Sequence, residues 1–163
     1  MDLPGLDLTT IGSDVIRIAV AYLLALPVAW EREQGARSAG LRTFPLVATA
    51  SCGYVMVGLS VVEGSDALSR ILYGLMTGIG FIGGGAILKH HKVVRGTATA
   101  ASIWNTGAIG AAVAFDRTEI AVVLSVINFL TLRLGGKLKE RVHRPAGSPE
   151  PPDDPMDTLS QER

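Results

Sequence analysis

Residues 78–104 read GIGFIGGGAILKHHKVVRGTATAASIW, and this stretch decides the fold. An uncharged apolar segment leads into a cluster of basic residues, and a second uncharged segment of small residues follows. Basic residues are retained on the cytoplasmic side of a membrane. The pattern therefore predicts two membrane-spanning helices joined by a cytoplasmic turn, at the centre of an integral membrane protein.

The same stretch contains the spacing of a dinucleotide-binding turn, because Gly78, Gly80 and Gly83 spell GxGxxG. That turn requires a preceding strand in a βαβ unit and an acidic residue about 20 residues further on. Here an apolar block from Ile71 precedes the glycines, and Ala100 stands near the place of the acid. We therefore interpret the glycines as part of a membrane helix.

Two roles for these glycines stay open. GxxxG spacing lets helices approach closely in lipid, where packing depends on shape, and it predicts a homo-oligomer. Three consecutive glycines also weaken a helix, so a break that lines a small cavity is the alternative. The predicted helix-packing or cavity residues of this span are Gly74, Gly78, Gly80, Gly83, Gly84 and Gly85.

Composition favours a membrane protein without catalytic machinery. The 163 residues are 48% hydrophobic and 18% charged, and the charges fall into short clusters between uncharged blocks. The formal net charge of zero gives no basic surface for nucleic acid. The single cysteine, Cys52, excludes an internal disulfide. No arrangement for nucleophilic catalysis is visible, so we expect neither an enzyme nor a bound cofactor.

Five weakly charged blocks predict an all-α fold with five transmembrane helices. At 1.5 Å per residue, about 20 residues cross the hydrocarbon layer. The last block is short unless Arg133 extends towards the headgroups. The predicted spans are about residues 15–30, 44–62, 71–88, 98–115 and 119–134.

The charges between these blocks predict the orientation. Basic residues concentrate in residues 31–43 and 89–97 and after the fifth block, whereas acidic residues accompany the few basic ones on the other side. This alternation predicts an outside N-terminus and a cytoplasmic C-terminus. Residues 1–144 would form one transmembrane domain, and the proline-rich residues 145–163 a disordered cytoplasmic tail.

The segment after the first span carries a dense group of mixed charges. Glu31 and Glu33 lie beside Arg32, Arg37 and Arg42. One interpretation is an interfacial anchor, whose exposed ion pairs would contribute little. The other is a functional loop, in which the two carboxylates could bind Mg²⁺ if the arginines did not compete for them. Whether a metal binds there stays open.

The fourth predicted span contains one strongly polar residue. Asn105 lies on a stripe of alanines at helical spacing, which indicates a closely packed neighbouring helix. The amide is predicted to form a hydrogen bond across that contact. A polar gate in a transport pathway is the alternative.

Several strings resemble the MgtC/SapB family in order and spacing over about residues 17–115. They are ERE at residues 31–33, AGLRT at 39–43, TGIGFIGGGAIL at 77–88 and VRGTATAASIW at 94–104. The resemblance implies a bacterial inner-membrane, multi-pass protein of about five helices. It implies functional roles for the loop residues Glu31, Arg32, Glu33, Arg37, Gly40, Leu41, Arg42 and Thr43, and for the turn residues Arg95, Gly96 and Thr97.

The family is linked to growth at low magnesium and, in pathogens, to survival inside macrophages. The resemblance implies a regulator or scaffold that binds other membrane proteins, including the ATP synthase; the alternative is a transporter of magnesium or another cation. The sequence is expected to be a short form without the soluble C-terminal domain of longer members. It also has Pro27 where a glycine is usual, and Asn105 where an apolar or small residue is usual.

Overall fold

The computed structural model describes residues 7–34, 39–90 and 93–142. These residues form five α-helices and one short antiparallel hairpin. The elements are α1 (Leu8–Glu33), α2 (Thr43–Val61), α3 (Ser65–Gly85), β1 (Leu88–His90), β2 (Val93–Arg95), α4 (Thr97–Ala114) and α5 (Thr118–Val142).

Helix α4 lies at the centre of the bundle and packs against each of the other four helices. Nine of its 18 residues are buried. Small residues make this position possible. A Cβ atom at Gly110 would meet the Ala48 carbonyl oxygen of α2, and one at Gly107 would meet the Ile79 side chain of α3. The backbone of α4 therefore approaches its neighbours as closely as membrane helices can.

Left-handed backbone conformations mark the starts of three helices. Gly64 has a φ of 95° before α3, Gly96 has a φ of 88° before α4, and Asp116 has a φ of 58° before α5. At Gly96 a side chain is unfavourable for two reasons: the positive φ angle, and the Ala86 carbonyl oxygen, which a Cβ atom would meet. Gly96 thus fixes the closure of the hairpin onto the start of α4.

Four of the described helices are long and apolar enough to cross a membrane: α1, α2, α3 and the first 19 residues of α5. The predicted span at residues 98–115 corresponds to α4, which is not among these four. Its polar groups face the bundle interior, where Thr99, Ser102 and Thr106 are buried. The fold is thus all-helical apart from the hairpin, as the sequence predicts, with four candidate spans that each pack against α4.

The predicted third span was wrong at its carboxyl end. Helix α3 runs without a break through Gly83 and Gly84 and ends at Gly85, whereas Leu88 pairs with Arg95 in the hairpin. Glycine is a poor helix former, so three in succession terminate the helix. The β-branched pair at residues 93 and 94 then favours strand pairing. The predicted tail at residues 145–163 lies outside the described residues.

Candidate functional site

The end of α1 and the starts of α2 and α4 meet at one end of the bundle. We name the residues that join them the junction cluster: Arg32, Glu33, Gly40, Leu41 and Thr99. Four of the five belong to the loop that the sequence singled out as functional, and Thr99 comes from the first turn of α4. The structure therefore brings together motif residues that are up to 67 positions apart.

Arg32 is the buried charge of the junction cluster. Its side chain is 2% exposed, and its Nη2 atom donates a hydrogen bond to the Thr99 hydroxyl of α4. A buried guanidinium is costly unless hydrogen-bonded partners compensate its charge. Arg32 is thus a structural link between α1 and α4, and it does not lie at the surface as an interfacial anchor would.

Glu33 links the end of α1 to the approach to α2. Its Oε2 atom accepts a hydrogen bond from the Leu41 backbone N–H at 3.0 Å. The carboxylate occupies the space that a Cβ atom on Gly40 would need. The Gly40 carbonyl in turn accepts from the N–H groups of Thr43 and Phe44, at 3.0 and 3.2 Å. Glycine at position 40 is therefore required for the carboxylate to reach the turn that begins α2.

The remaining predicted loop and turn residues occupy different surroundings. Glu31 is half-buried on α1, whereas Arg42 is exposed and lies, with Thr43, at the mouth of a groove between α2 and α3. Arg95 is exposed on β2, and Thr97 is the exposed first residue of α4. Arg37 lies outside the described residues. The predicted loop thus divides into a junction that contains the buried Arg32 and Gly40 and an exposed groove mouth at Arg42.

The part of the chain that the structure describes contains no group of three or more His, Cys, Asp or Glu side chains that could hold a metal ion. Of the two carboxylates considered for Mg²⁺, that of Glu33 already accepts the Leu41 N–H. Hard divalent cations prefer several free oxygen ligands. The geometry of these residues therefore supports a joint between helices better than a magnesium site.

The six glycines predicted to pack or line a cavity differ in their surroundings. At Gly83 a Cβ atom would lie 3.1 Å from the Ala100 carbonyl oxygen of α4. At each of the other five, a Cβ atom would meet nothing within 4 Å. Two of those five, Gly74 and Gly78, line the groove between α2 and α3. Within one chain, Gly83 is the glycine of this set that makes a close helix contact.

Polar side chains in the bundle interior connect the helices to one another. The Asn105 Nδ2 atom donates to the Leu124 carbonyl of α5 at 3.1 Å. From α5, the Asn128 amide donates to the Ser102 carbonyl of α4 at 3.3 Å, and the Ser125 hydroxyl donates to the Leu24 carbonyl of α1 at 2.6 Å. These bonds tie α5 to both α4 and α1.

Sequence reasoning did not predict the bond between Thr99 and Arg32, and it missed Ser125 and Asn128. The latter two are three residues apart within an apolar block, which places them on one helix face. That spacing was a usable signal, but amides and hydroxyls were considered for the fourth predicted span and not for the fifth.

Arg17 and Asp116 form an ion pair of 2.8 Å at the end of the bundle opposite the junction cluster. The guanidinium also donates to the Ala114 carbonyl at 3.4 Å, so it joins α1 to the turn between α4 and α5. Arg17 and Arg32 thus hold α1 beside α4 at both ends, and the two helices run in opposite directions.

The MgtC family model matches residues 18–141, which include the junction cluster and all five helices except the ends of α1 and α5. The chain belongs to the MgtC family. The predicted resemblance is thereby confirmed, and MgtC-family membership together with the apolar helices identifies a membrane protein.

Three relatives illustrate how this MgtC-family chain compares with others. SrpB of Synechococcus elongatus is 35% identical over 77% of this chain and 76% of its own length. YhiD of Escherichia coli K12, named as a candidate magnesium transporter, is 33% identical over 78% of this chain and 63% of its own. MgtC of Salmonella typhimurium is 33% identical over 69% of this chain and 48% of its own. No solved structure matches the chain.

Proposed function

We propose that this MgtC-family protein is a membrane-embedded regulator or scaffold in bacterial magnesium homeostasis, acting by helix contacts with partner membrane proteins and not as an enzyme. One observation carries the proposal. The interior amides of α4 and α5 and the buried Arg32 are engaged in bonds between helices. Buried polar groups that bond from helix to helix stabilise packing, whereas membrane pathways for cations commonly place an ionisable group in the interior, and no carboxylate is among the buried residues that the structure describes.

The bundle centre supports the same conclusion. Its axis is filled by α4, whose Ile103 and Ile109 are nearly or fully buried. Along the described spans, the interior residues are neutral apart from Arg32, which lies at the junction and carries a positive charge. These buried residues therefore offer Mg²⁺ none of the carboxylate oxygens that it prefers, so the interior of a single chain is a poor route for it.

The proposed arrangement has five membrane-crossing helices, with the junction cluster at the cytoplasmic face of the inner membrane and the Arg17 to Asp116 pair outside. Helix α4 would be the fifth, and it packs against each of the other four. Basic segments at residues 31–43 and 89–97 support this orientation. Tags fused to the two termini should report opposite compartments, and tags found in the same compartment would overturn it.

Magnesium flux into proteoliposomes distinguishes a scaffold from a transporter. The transporter is the alternative because the name of the relative YhiD suggests magnesium transport for that protein. We expect entry of Mg²⁺ no faster than into protein-free vesicles. The informative variants are Glu31→Gln at the junction end and, as a matched control, Glu63→Gln in the exposed turn at the opposite end. Flux that falls with Glu31→Gln and persists with Glu63→Gln would establish transport and contradict the scaffold.

A scaffold also requires a partner, and α3 offers the surface for one. Gly80 and Gly84 have GxxxG spacing and open space around them, and the nearby Phe81 is 85% exposed. Self-association through this face, and contact with partners such as the ATP synthase, belong to the proposal. Cross-linking in native membranes should yield oligomers or such complexes. Recovery of isolated monomers alone would contradict the scaffold role.

A further inference from the structure

A groove of about 950 Å³ runs between α2 and α3 on the outside of the bundle. We name it the α2–α3 groove. Its walls are mainly apolar side chains and glycines, such as Leu46 and Val47 on α2 and Gly74 and Gly78 on α3. The Ser51 hydroxyl on the wall donates to the Val47 carbonyl at 2.7 Å. The groove therefore presents an apolar channel between two helices that can each cross a membrane.

Each end of the α2–α3 groove carries an arginine. Arg42 lies at the end near the junction cluster, and Arg70 lies at the opposite end. Both are exposed, and neither forms a hydrogen bond or an ion pair within the described residues. A guanidinium binds phosphate oxygens through paired, charge-assisted hydrogen bonds. The combination of an apolar channel and a cationic mouth matches an acyl chain with an anionic headgroup.

The two arginines also argue against a second copy of the chain as the occupant. Copies in one membrane share an orientation, so a symmetric dimer has its two-fold axis along the membrane normal. A groove facing its own symmetry mate would bring Arg42 near Arg42 and Arg70 near Arg70, at equal depths. Like charges at a partly desolvated contact repel. An anionic lipid has the opposite, complementary charge.

The Arg42 end is the better headgroup site of the two. Beside Arg42 lies Thr43, whose hydroxyl supplies a second donor at the mouth. Near Arg70, the Ile71 side chain of α3 packs over Gly58 of α2. A Cβ atom added to Gly58 would lie 2.7 Å from the Ile71 Cδ1 atom. The groove is thus narrowed close to Arg70. In the proposed orientation Arg42 also faces the cytoplasmic leaflet, whose surface is anionic.

We infer that the α2–α3 groove is a binding site for an anionic phospholipid, with the headgroup phosphate on Arg42 and an acyl chain between Leu46 and Gly78. The headgroup end of this site adjoins the junction cluster, but the inference does not depend on the scaffold role. In this position a lipid would cover part of the exposed surface of α3.

The test measures phospholipid that stays bound to the purified full chain in detergent, by native mass spectrometry after addition of phosphatidylglycerol or phosphatidylcholine. Two variants remove the site: Arg42→Gln takes away the charge, and Gly78→Leu fills the channel. Two matched controls leave it intact: Arg70→Gln at the other end, and Gly80→Leu, a glycine of the same helix that is equally open but does not line the groove.

We expect the unaltered chain to retain phosphatidylglycerol in preference to phosphatidylcholine. Loss of a charge-assisted contact in Arg42→Gln should weaken retention about tenfold. Gly78→Leu should weaken retention as well, while both controls behave like the unaltered chain. Circular dichroism of each variant separates lost binding from lost folding.

Three results would overturn the inference. They are equal retention of the two lipids, retention unaffected by Arg42→Gln in a folded protein, and retention lost in Arg70→Gln but not in Arg42→Gln. A cross-link between two copies through cysteines placed in the groove would likewise show that a second chain occupies it.

Discussion

Helices α3 and α4 are both rich in small residues, mainly glycine in α3 and alanine in α4, yet they serve the fold in different ways. In α4 both glycines are buried against neighbouring helices: a Cβ atom on Gly110 would meet the Ala48 backbone of α2, and one on Gly107 would meet the Ile79 side chain of α3. In α3 two residues are buried, Ile79 and Gly83, and most glycines face open space. The difference teaches that small residues report close packing only when other helices surround them, so composition alone does not identify the contact.

The largest expected effect on stability comes from substituting leucine for a glycine that packs against a neighbouring helix, compared with a glycine that faces open space. Gly110→Leu should force α2 away from α4, because the new side chain meets the Ala48 carbonyl, and should lower the free energy of unfolding by about 3 kcal/mol or more. Gly80→Leu should change it by less than about 1 kcal/mol, since nothing lies within 4 Å. Thermal unfolding in detergent measures both.

Equal sensitivity at the two positions would erase the distinction between α3 and α4. Gly110→Ala provides a milder step if Gly110→Leu does not fold. It should still be less stable than the unaltered chain, because even one methyl group clashes with backbone there.

The next effect concerns the junction cluster. Thr99→Val removes the hydroxyl that accepts from Arg32 and leaves the guanidinium buried, so we expect a loss of about 2 kcal/mol. Thr97→Val, two residues away at an exposed position, is the matched control. Denaturant titration followed by circular dichroism compares them. If both variants unfold at the same midpoint, the link from α1 to α4 does not stabilise the bundle.

A smaller effect should follow from the amides between helices. Asn128→Leu removes the bond to the Ser102 carbonyl of α4, and such bonds in membranes contribute about 0.6 kcal/mol on average. Thr77→Val on α3 removes a hydroxyl that bonds to the Tyr73 carbonyl of its own helix, and should cost less. The measurement is again the unfolding midpoint. A larger loss at Thr77 would show that α3 makes contacts that a single chain does not reveal.

A sequence pattern could predict a feature of this fold only where the pattern and the feature have the same physical cause. Charge segregation depends on the membrane alone, so the blocks around α1, α2 and α5 were readable without knowing their neighbours. Which glycines pack depends on tertiary contacts, so Gly83 could not be separated from Gly80 by spacing. Strand pairing between residues 88–90 and 93–95 was missed because this stretch reads as a cluster of basic residues that joins two spans.

In the candidate site, too, a local motif identifies some residues, whereas only tertiary packing brings in the others. Glu33 and Gly40 were found because they lie in a short motif, although their contact through Leu41 was not foreseen. Thr99 contacts Arg32 from 67 residues away, and no local pattern carries that information. The ion pair between Arg17 and Asp116 likewise depends on how α1 packs against the turn after α4, and no local pattern indicates it.

The smallest expected effect on stability concerns the ion pair at the turn after α4, and it again compares α4 with α3. Arg17→Gln removes a partly exposed ion pair with Asp116, so we expect a loss of about 0.5 kcal/mol that shrinks as salt is added. Arg70→Gln near the start of α3 removes an arginine with no ion pair in the described part of the chain, and should change stability by less still. Unfolding midpoints at low and high salt measure both. A salt-dependent loss of stability in Arg70→Gln could equal the loss in Arg17→Gln. That result would mean that a charged group of lipid or of another chain binds α3 near Arg70. The contrast between a tightly packed α4 and an open α3 would then be wrong.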